Sequence, residues 1–176
     1  MFSSGPSLII LGAGEVIDEG LPSGLQEVTS NGRIMDWQLD AFASTNVDVH
    51  FVGGYDINKV IENYPDLTYH FNESWNKTGC VASLLIALKS IINSNENPND
   101  IYISYSDILF TNKLVEKLNK ISNENILISI DLHSISPIKK NVETYFYKGV
   151  KSEFIGLIRV PSNMVQNFYE SINTFE

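Results

Sequence analysis

Short apolar runs alternate along this chain with stretches in which apolar residues recur every third or fourth position. The first kind of segment buries as a strand and the second buries one face of a helix, so their alternation predicts an α/β sheet with crossover helices. Residues 7–12 (SLIILG) predict a buried first strand, followed by a long loop holding Gly14, Gly20, Pro22, Gly24 and Gly32. Residues 34–44 carry Met35, Leu39 and Phe42 at helical spacing, and 47–52 (VDVHFV) predict a second strand ended by Gly53-Gly54. Ile57, Val60 and Ile61 mark a short helix that must stop before Pro65, because the residue preceding a proline leaves the helical region.

Strand composition resumes over 67–71. The clearest helix is predicted at 80–92, with Val81, Leu84, Leu85, Leu88, Ile91 and Ile92 on one face. Residues 101–105 predict a strand running directly into Ser106-Asp107, and Leu114, Leu118 and Ile121 mark a helix. Strands are expected at 126–130, 142–147 and 154–160, and a last helix over Met164, Val165, Phe168, Tyr169 and Ile172.

A chain of 176 residues with 43% hydrophobic and 19% charged positions can bury one substantial core, so residues 1–176 are read as a single domain. The formal charge of −9 disfavours partners that need a broad basic face, and neither nucleic acid nor an anionic membrane is expected. Cys80 is the single cysteine, which excludes an internal disulfide. The apolar run at 8–11 is too short for a signal or membrane segment, so the protein is expected to be soluble and cytoplasmic.

In an open parallel sheet, ligands gather where the strands end and loops meet helix N-termini. Three segments fall there. Leu11-Gly12-Ala13-Gly14 follows the first strand, and its lack of bulky side chains allows a base or phosphate to approach the backbone amides; the same glycines also serve simply to turn a chain. Asp107, at the exit of a buried strand, is placed to hold a hard cation such as Mg²⁺, or else to act as a turn or helix-cap aspartate, with Thr111 as a competing cap. Residues 72–83 (NESWNKTGCVAS) offer Thr78, Gly79 and Ser83 to a nucleobase or ribose, although Thr78 is equally a cap candidate and Trp75 equally a packing residue.

His50 and His70 alternate within strand segments and are read as half-buried sheet residues. His133 follows Asp131 at another strand end, but one Asp with one His is an incomplete metal set. No nucleophile elbow and no Gly-Lys-Ser/Thr phosphate loop is present, which removes covalent hydrolases and P-loop enzymes.

Taken in order, these segments resemble the nucleotidyltransferases, closest to the cytidylyltransferases that activate phosphocholine or aminoethylphosphonate. SLIILGAGE resembles that family's opening strand and glycine loop, and LPSGLQEVTSNGRIMDWQLDAFAS its proline-lysine segment, hairpin and first helix. VDVHFVGGYDINKVIENYP, NESWNKTGCVASLLIAL, DIYISYSDILF and EFIGLIRVP resemble four later segments, so the likeness runs through nearly the whole chain.

The resemblance implies a three-layer α/β/α Rossmann-like fold with a mostly parallel mixed sheet. It also implies transfer of a nucleoside monophosphate, CMP preferred, from a nucleoside triphosphate to a phosphorylated or phosphonate small molecule, with release of pyrophosphate. By carry-over, Leu11, Gly12, Ala13 and Gly14 would meet the nucleotide, Gly79 and Ser83 its base side, Asp107 the Mg²⁺, and Glu153 the acceptor. The resemblance leaves room for a homodimer.

Two departures stand out. That family's loop carries an arginine after its glycines and a lysine after its proline, whereas here residues 15–20 are acidic and Ser23 follows Pro22. The family's C-terminal segment, with its second metal carboxylate, is also expected to be missing from residues 1–176. Loss of one preorganised charge-stabilising group commonly costs about 10² to 10³ in rate. Two alternatives therefore stay open: a catalytically lapsed relative that binds a nucleotide or a protein, and a GT-A-like glycosyltransferase. The latter shares the strand-end aspartate but usually has a pair, where this chain has Tyr105 and Asp107.

Overall fold

The computed structural model describes residues 5–14, 20–29, 32–94, 98–121, 124–131, 144–147 and 150–174. Residues 15–19 of the glycine-bearing loop, His133 and the side chain of Glu153 lie outside the described residues. In chain order come β1 (Ser7–Gly12), β2 (Glu27–Thr29), β3 (Gly32–Arg33), α1 (Ile34–Ala41), β4 (Asp48–Gly53), α2 (Ile57–Asn63) and β5 (Thr68–Phe71). They are followed by α3 (Cys80–Ser94), β6 (Ile101–Tyr105), α4 (Asn112–Lys120), β7 (Leu127–Asp131), β8 (Thr144–Tyr147), β9 (Val150–Val160) and α5 (Val165–Asn173).

The main sheet is seven-stranded with the order β5-β4-β1-β6-β9-β7, and β8 pairs with β9. Strands β5, β4, β1 and β6 run parallel. Strand β9 is antiparallel to both neighbours, β6 and β7. The sheet is thus mixed and mostly parallel, as the resemblance implied, and β2 with β3 forms the implied hairpin.

Successive residues of β1 point to opposite faces, and both faces are covered. Leu8 and Ile10 pack with Phe51, Tyr102 and Leu157 beneath α1, α2 and α4. Ile9 and Leu11 pack with Val52, Ile101, Ile103 and Val160 beneath α3 and α5. Leu8, Ile9 and Ile10 are each 0% exposed, which explains why the first strand is an unbroken apolar run rather than an alternating one. Burying each such side chain is worth about 1.5–3 kcal/mol, so this strand is the centre of the fold energetically as well as topologically.

Far from the strand exits, Arg159 of β9 is buried. Its guanidinium reaches Asp100 Oδ2 at 2.6 Å and donates to the carbonyls of Leu118 and Ile121. The antiparallel strand is thereby tied to the start of β6 and the end of α4.

Three elements differ from expectation. Helix α1 ends at Ala41, because the amides of Phe42 and Ala43 turn to carbonyls three residues back and the helix tightens into a turn. Val81 is 41% exposed, because in the first turn of α3 it lines an open apolar cavity of about 200 Å³ with Leu84, Phe168 and Ile172. Strand β9 begins at Val150, four residues before the predicted 154, and Gly156 takes φ +76° where the register against β7 shifts between Ile128 and Ile130. A positive φ at a register shift marks a bulge, a position that suits glycine. Among the described residues no helix is long and apolar enough to cross a membrane.

Candidate active site

Parallel pairing brings the carboxyl ends of β4, β1 and β6 to one edge. Gly12 lies beside Gly53, and Leu11 beside Tyr105. Hydrogen bonds continue past the strands: Ser106 N donates to Leu11 O and Tyr55 N to Ala13 O, each at 3.0 Å. The residues after each strand therefore emerge side by side.

Between them and the N-terminus of α3 lies a cleft of about 460 Å³. Leu11, Gly12, Ala13, Gly14, Gly79, Ser83 and Asp107 all line it, together with Ser23, Trp75, Thr78, Cys80, Tyr105 and Ser106. Residues far apart in sequence thus share one cavity. Glu153 sits on β9 opposite Asp131 in the antiparallel ladder.

The glycines differ in what they do. A Cβ on Gly12 would sit 2.5 Å from Phe51 Cζ and 2.9 Å from Ser106 Oγ, so packing requires glycine there. A Cβ on Gly14 or on Gly79 would meet nothing within 4 Å. Those two open positions are where a ligand has room against the backbone.

The 72–83 segment is held from within. Asn72, 3% exposed, donates through Nδ2 to Thr78 Oγ1 (3.0 Å) and to Ser83 Oγ (2.9 Å), while its Oδ1 accepts from Ser74 N. Thr78 Oγ1 in turn donates to Ser74 O, so its hydroxyl organises the loop instead of capping α3. Ser83 accepts from Asn72 and keeps its own proton to donate. Trp75 lies against Gly54 and meets Tyr55 edge to face at 5.7 Å, a packed ring that also borders the cleft.

Asp107 is exposed in the turn after β6, and Thr111 occupies the N-cap position of α4, so Asp107 does not cap that helix. Beside it, Ser106 Oγ meets Ser23 Oγ at 2.5 Å, joining this turn to the loop after Pro22. No Lys or Arg lines the cleft among the described residues, and the sequence has none from Leu11 to Asn31.

No family model matches the chain. A CTP:phosphoglutamine cytidylyltransferase from Campylobacter jejuni is 31% identical over 106 residues, covering 57% of this chain and 41% of the relative's own length. The CTP:phosphocholine cytidylyltransferase of Streptococcus pneumoniae superposes with a TM-score of 0.63 at 15% identity, over 96% of this chain and 76% of that one. A nucleotidyl transferase from Methanothermobacter gives 0.60 at 12%, with the same coverage. The chain has the fold of these nucleotidyltransferases. It spans less than half the length of the curated relative it matches.

Within that fold, the chemistry of Asp107 fits a divalent cation in one respect: Mg²⁺ is commonly bound through one or two carboxylates, with waters and substrate phosphates completing its shell. No group of three or more His, Cys, Asp or Glu that could hold a metal occurs among the described residues. One carboxylate facing an open cleft therefore suits an ion that arrives with a phosphorylated ligand.

Sequence reasoning missed Asn72 as the organiser of its loop and Ser106 as the partner of Ser23. The first carried a signal, an amide placed directly after a strand and before a run of polar residues. The second carried none.

Proposed function

We propose that this chain forms the nucleotide-binding part of an enzyme that transfers a nucleoside monophosphate, CMP by preference, from a nucleoside triphosphate to a phosphorylated or phosphonate small molecule. The observation that carries this is the convergence of the 11–14 bend, Gly79 with Ser83, and Asp107 on a single cleft at the strand ends. The preference for CTP follows the cytidylyltransferases this chain is similar to.

In this reading the base lies against the backbone of Gly14 and Gly79, where no side chain intervenes, and the amides opening α3 face the nucleotide. Asp107 would hold Mg²⁺, which when bound would neutralise charge on the triphosphate. An acceptor oxygen attacks the α-phosphorus in line. A new P–O bond forms as the bond from the α-phosphorus to the bridging oxygen breaks, and pyrophosphate leaves with the electron pair. Glu153 would border the acceptor. A phosphate or phosphonate oxygen is ionised near neutral pH, so the chain need only position and neutralise, with no acid or base of its own.

The absence of Lys and Arg from the described lining favours a second reading, a non-catalytic nucleotide-binding module. Thermal shift with each of the four nucleoside triphosphates, with and without Mg²⁺, detects binding, because a ligand of the native state raises the melting temperature. Pyrophosphate release is then measured with phosphocholine, aminoethylphosphonate and phosphoglutamine as acceptors. Release from CTP that falls by at least about 10²-fold in Asp107→Asn supports the transferase. CTP binding without release selects the binding module, and no binding of any triphosphate overturns both.

A further inference from the structure

Gln38 of α1 is 0% exposed and is not among the residues that line the cleft. Its Nε2 donates to two carbonyls, those of Tyr105 and Ile108, each at 2.7 Å. These carbonyls bracket Ser106 and Asp107. Both protons of the amide are therefore spent on the one turn that presents the cleft's carboxylate.

The orientation of the amide is set by its surroundings. Reversing it would bring Oε1 against both carbonyl oxygens, which have no proton to give. In the observed orientation Oε1 is buried without a partner among the described residues. An apolar residue of the same length would fill this space without leaving an acceptor stranded, but it would release both carbonyls. The site thus accepts an unsatisfied oxygen in order to hold the turn.

In the same turn, Ser106 Oγ meets Ser23 Oγ. The turn is gripped through its backbone from α1 and through its side chain from the loop after Pro22.

We propose that Gln38 is a positioning residue for Asp107: by clamping the carbonyls of Tyr105 and Ile108 it holds the carboxylate toward the cleft and so sets its affinity for a divalent cation. This rests on the metal-holding role of Asp107 given above. A residue that orients a ligand without touching the metal typically changes metal affinity by about 10- to 100-fold when it is removed.

The test is Mn²⁺ binding to the whole chain in the presence of CTP, followed by electron paramagnetic resonance, with CTP binding in EDTA measured separately. Gln38→Met should weaken Mn²⁺ about tenfold or more and leave metal-free CTP binding within about twofold. Amide hydrogen exchange at residues 106–108 should rise in the same variant. A residue that only fills the core would lower the melting temperature without moving Mn²⁺ affinity in the folded protein. If Gln38→Met does not fold, Gln38→Glu keeps the side-chain shape and removes at least one of the two donors, because a buried carboxyl carries at most one proton. Unchanged Mn²⁺ affinity in a folded Gln38 variant overturns the proposal. Asp107→Asn separates the two levels: if it too leaves Mn²⁺ binding intact, the role of Asp107 itself is overturned, and if it alone abolishes binding, only the clamp is.

Discussion

Nδ1 of His50 lies 3.0 Å from Nε2 of His70, and the two ring centroids are 5.3 Å apart with planes 16° from parallel. That centroid separation is about the largest a 3.0 Å nitrogen contact allows, so the nitrogens point at each other and one ring donates to the other. Burial is the main cause that pushes His50 down to about 4, the neighbouring His70 adds to it, and Asp48 opposes it. His70 is lowered too, by burial.

The sign of the pH effect follows. Below the ordinary histidine value of 6.5 the unfolded chain takes up protons that the folded pair refuses, so stability is complete above pH 6.5 and falls as pH drops toward 4. The loss from His50 is on the order of 3 kcal/mol across that window. Urea midpoints measured between pH 7.5 and 4.5 should fall more steeply for the native chain than for a His50→Gln, His70→Gln double variant. Equal slopes would remove the pair as the cause.

Gly12 and Gly14 should separate folding from binding. Gly12→Ala forces a methyl into Phe51, which is 1% exposed, and should destabilise by about 1–3 kcal/mol. Gly14→Ala meets no atom and should leave the melting temperature unchanged while weakening CTP. Melting curves paired with CTP titration decide between them; full CTP affinity in Gly14→Ala would move the nucleotide away from this bend.

Ser23 lines the cleft where the resembled family carries a lysine. Ser23→Lys should tighten triphosphate binding on the order of tenfold, a gain equivalent to ~1.4 kcal/mol, and added salt should erode it. Calorimetry with CTP at two ionic strengths reads both effects. Binding that does not respond would mean the loop takes another path relative to the phosphates.

Much of the scaffold was legible because its signals are local. The apolar run of β1, the helical period of α3 and the polar exits after Gly12 and Tyr105 each lie within a few consecutive residues. Asp107 could be singled out for the same reason, since a carboxylate directly after a buried strand faces the edge where loops collect. The antiparallel insertion of β9 between β6 and β7 could not be read, because strand order is a matter of hydrogen bonds between distant segments. Nor could the exposure of Val81, which the helical period would bury but which lines an open apolar cavity with Leu84 and Phe168.

By itself the amino-acid order determined the alternating elements, the small-residue bend and the strand-end carboxylate, because backbone preference and hydrophobic period act over one or two turns of chain. Only the tertiary structure decided that Ser23 would meet Ser106, that Gln38 would grip the turn of Asp107, and that His50 would find His70. Those contacts join residues 83, 67 and 20 positions apart, and no local preference encodes them. They exist because packing the helices onto both faces of the sheet brings these polar groups together where little water can reach them.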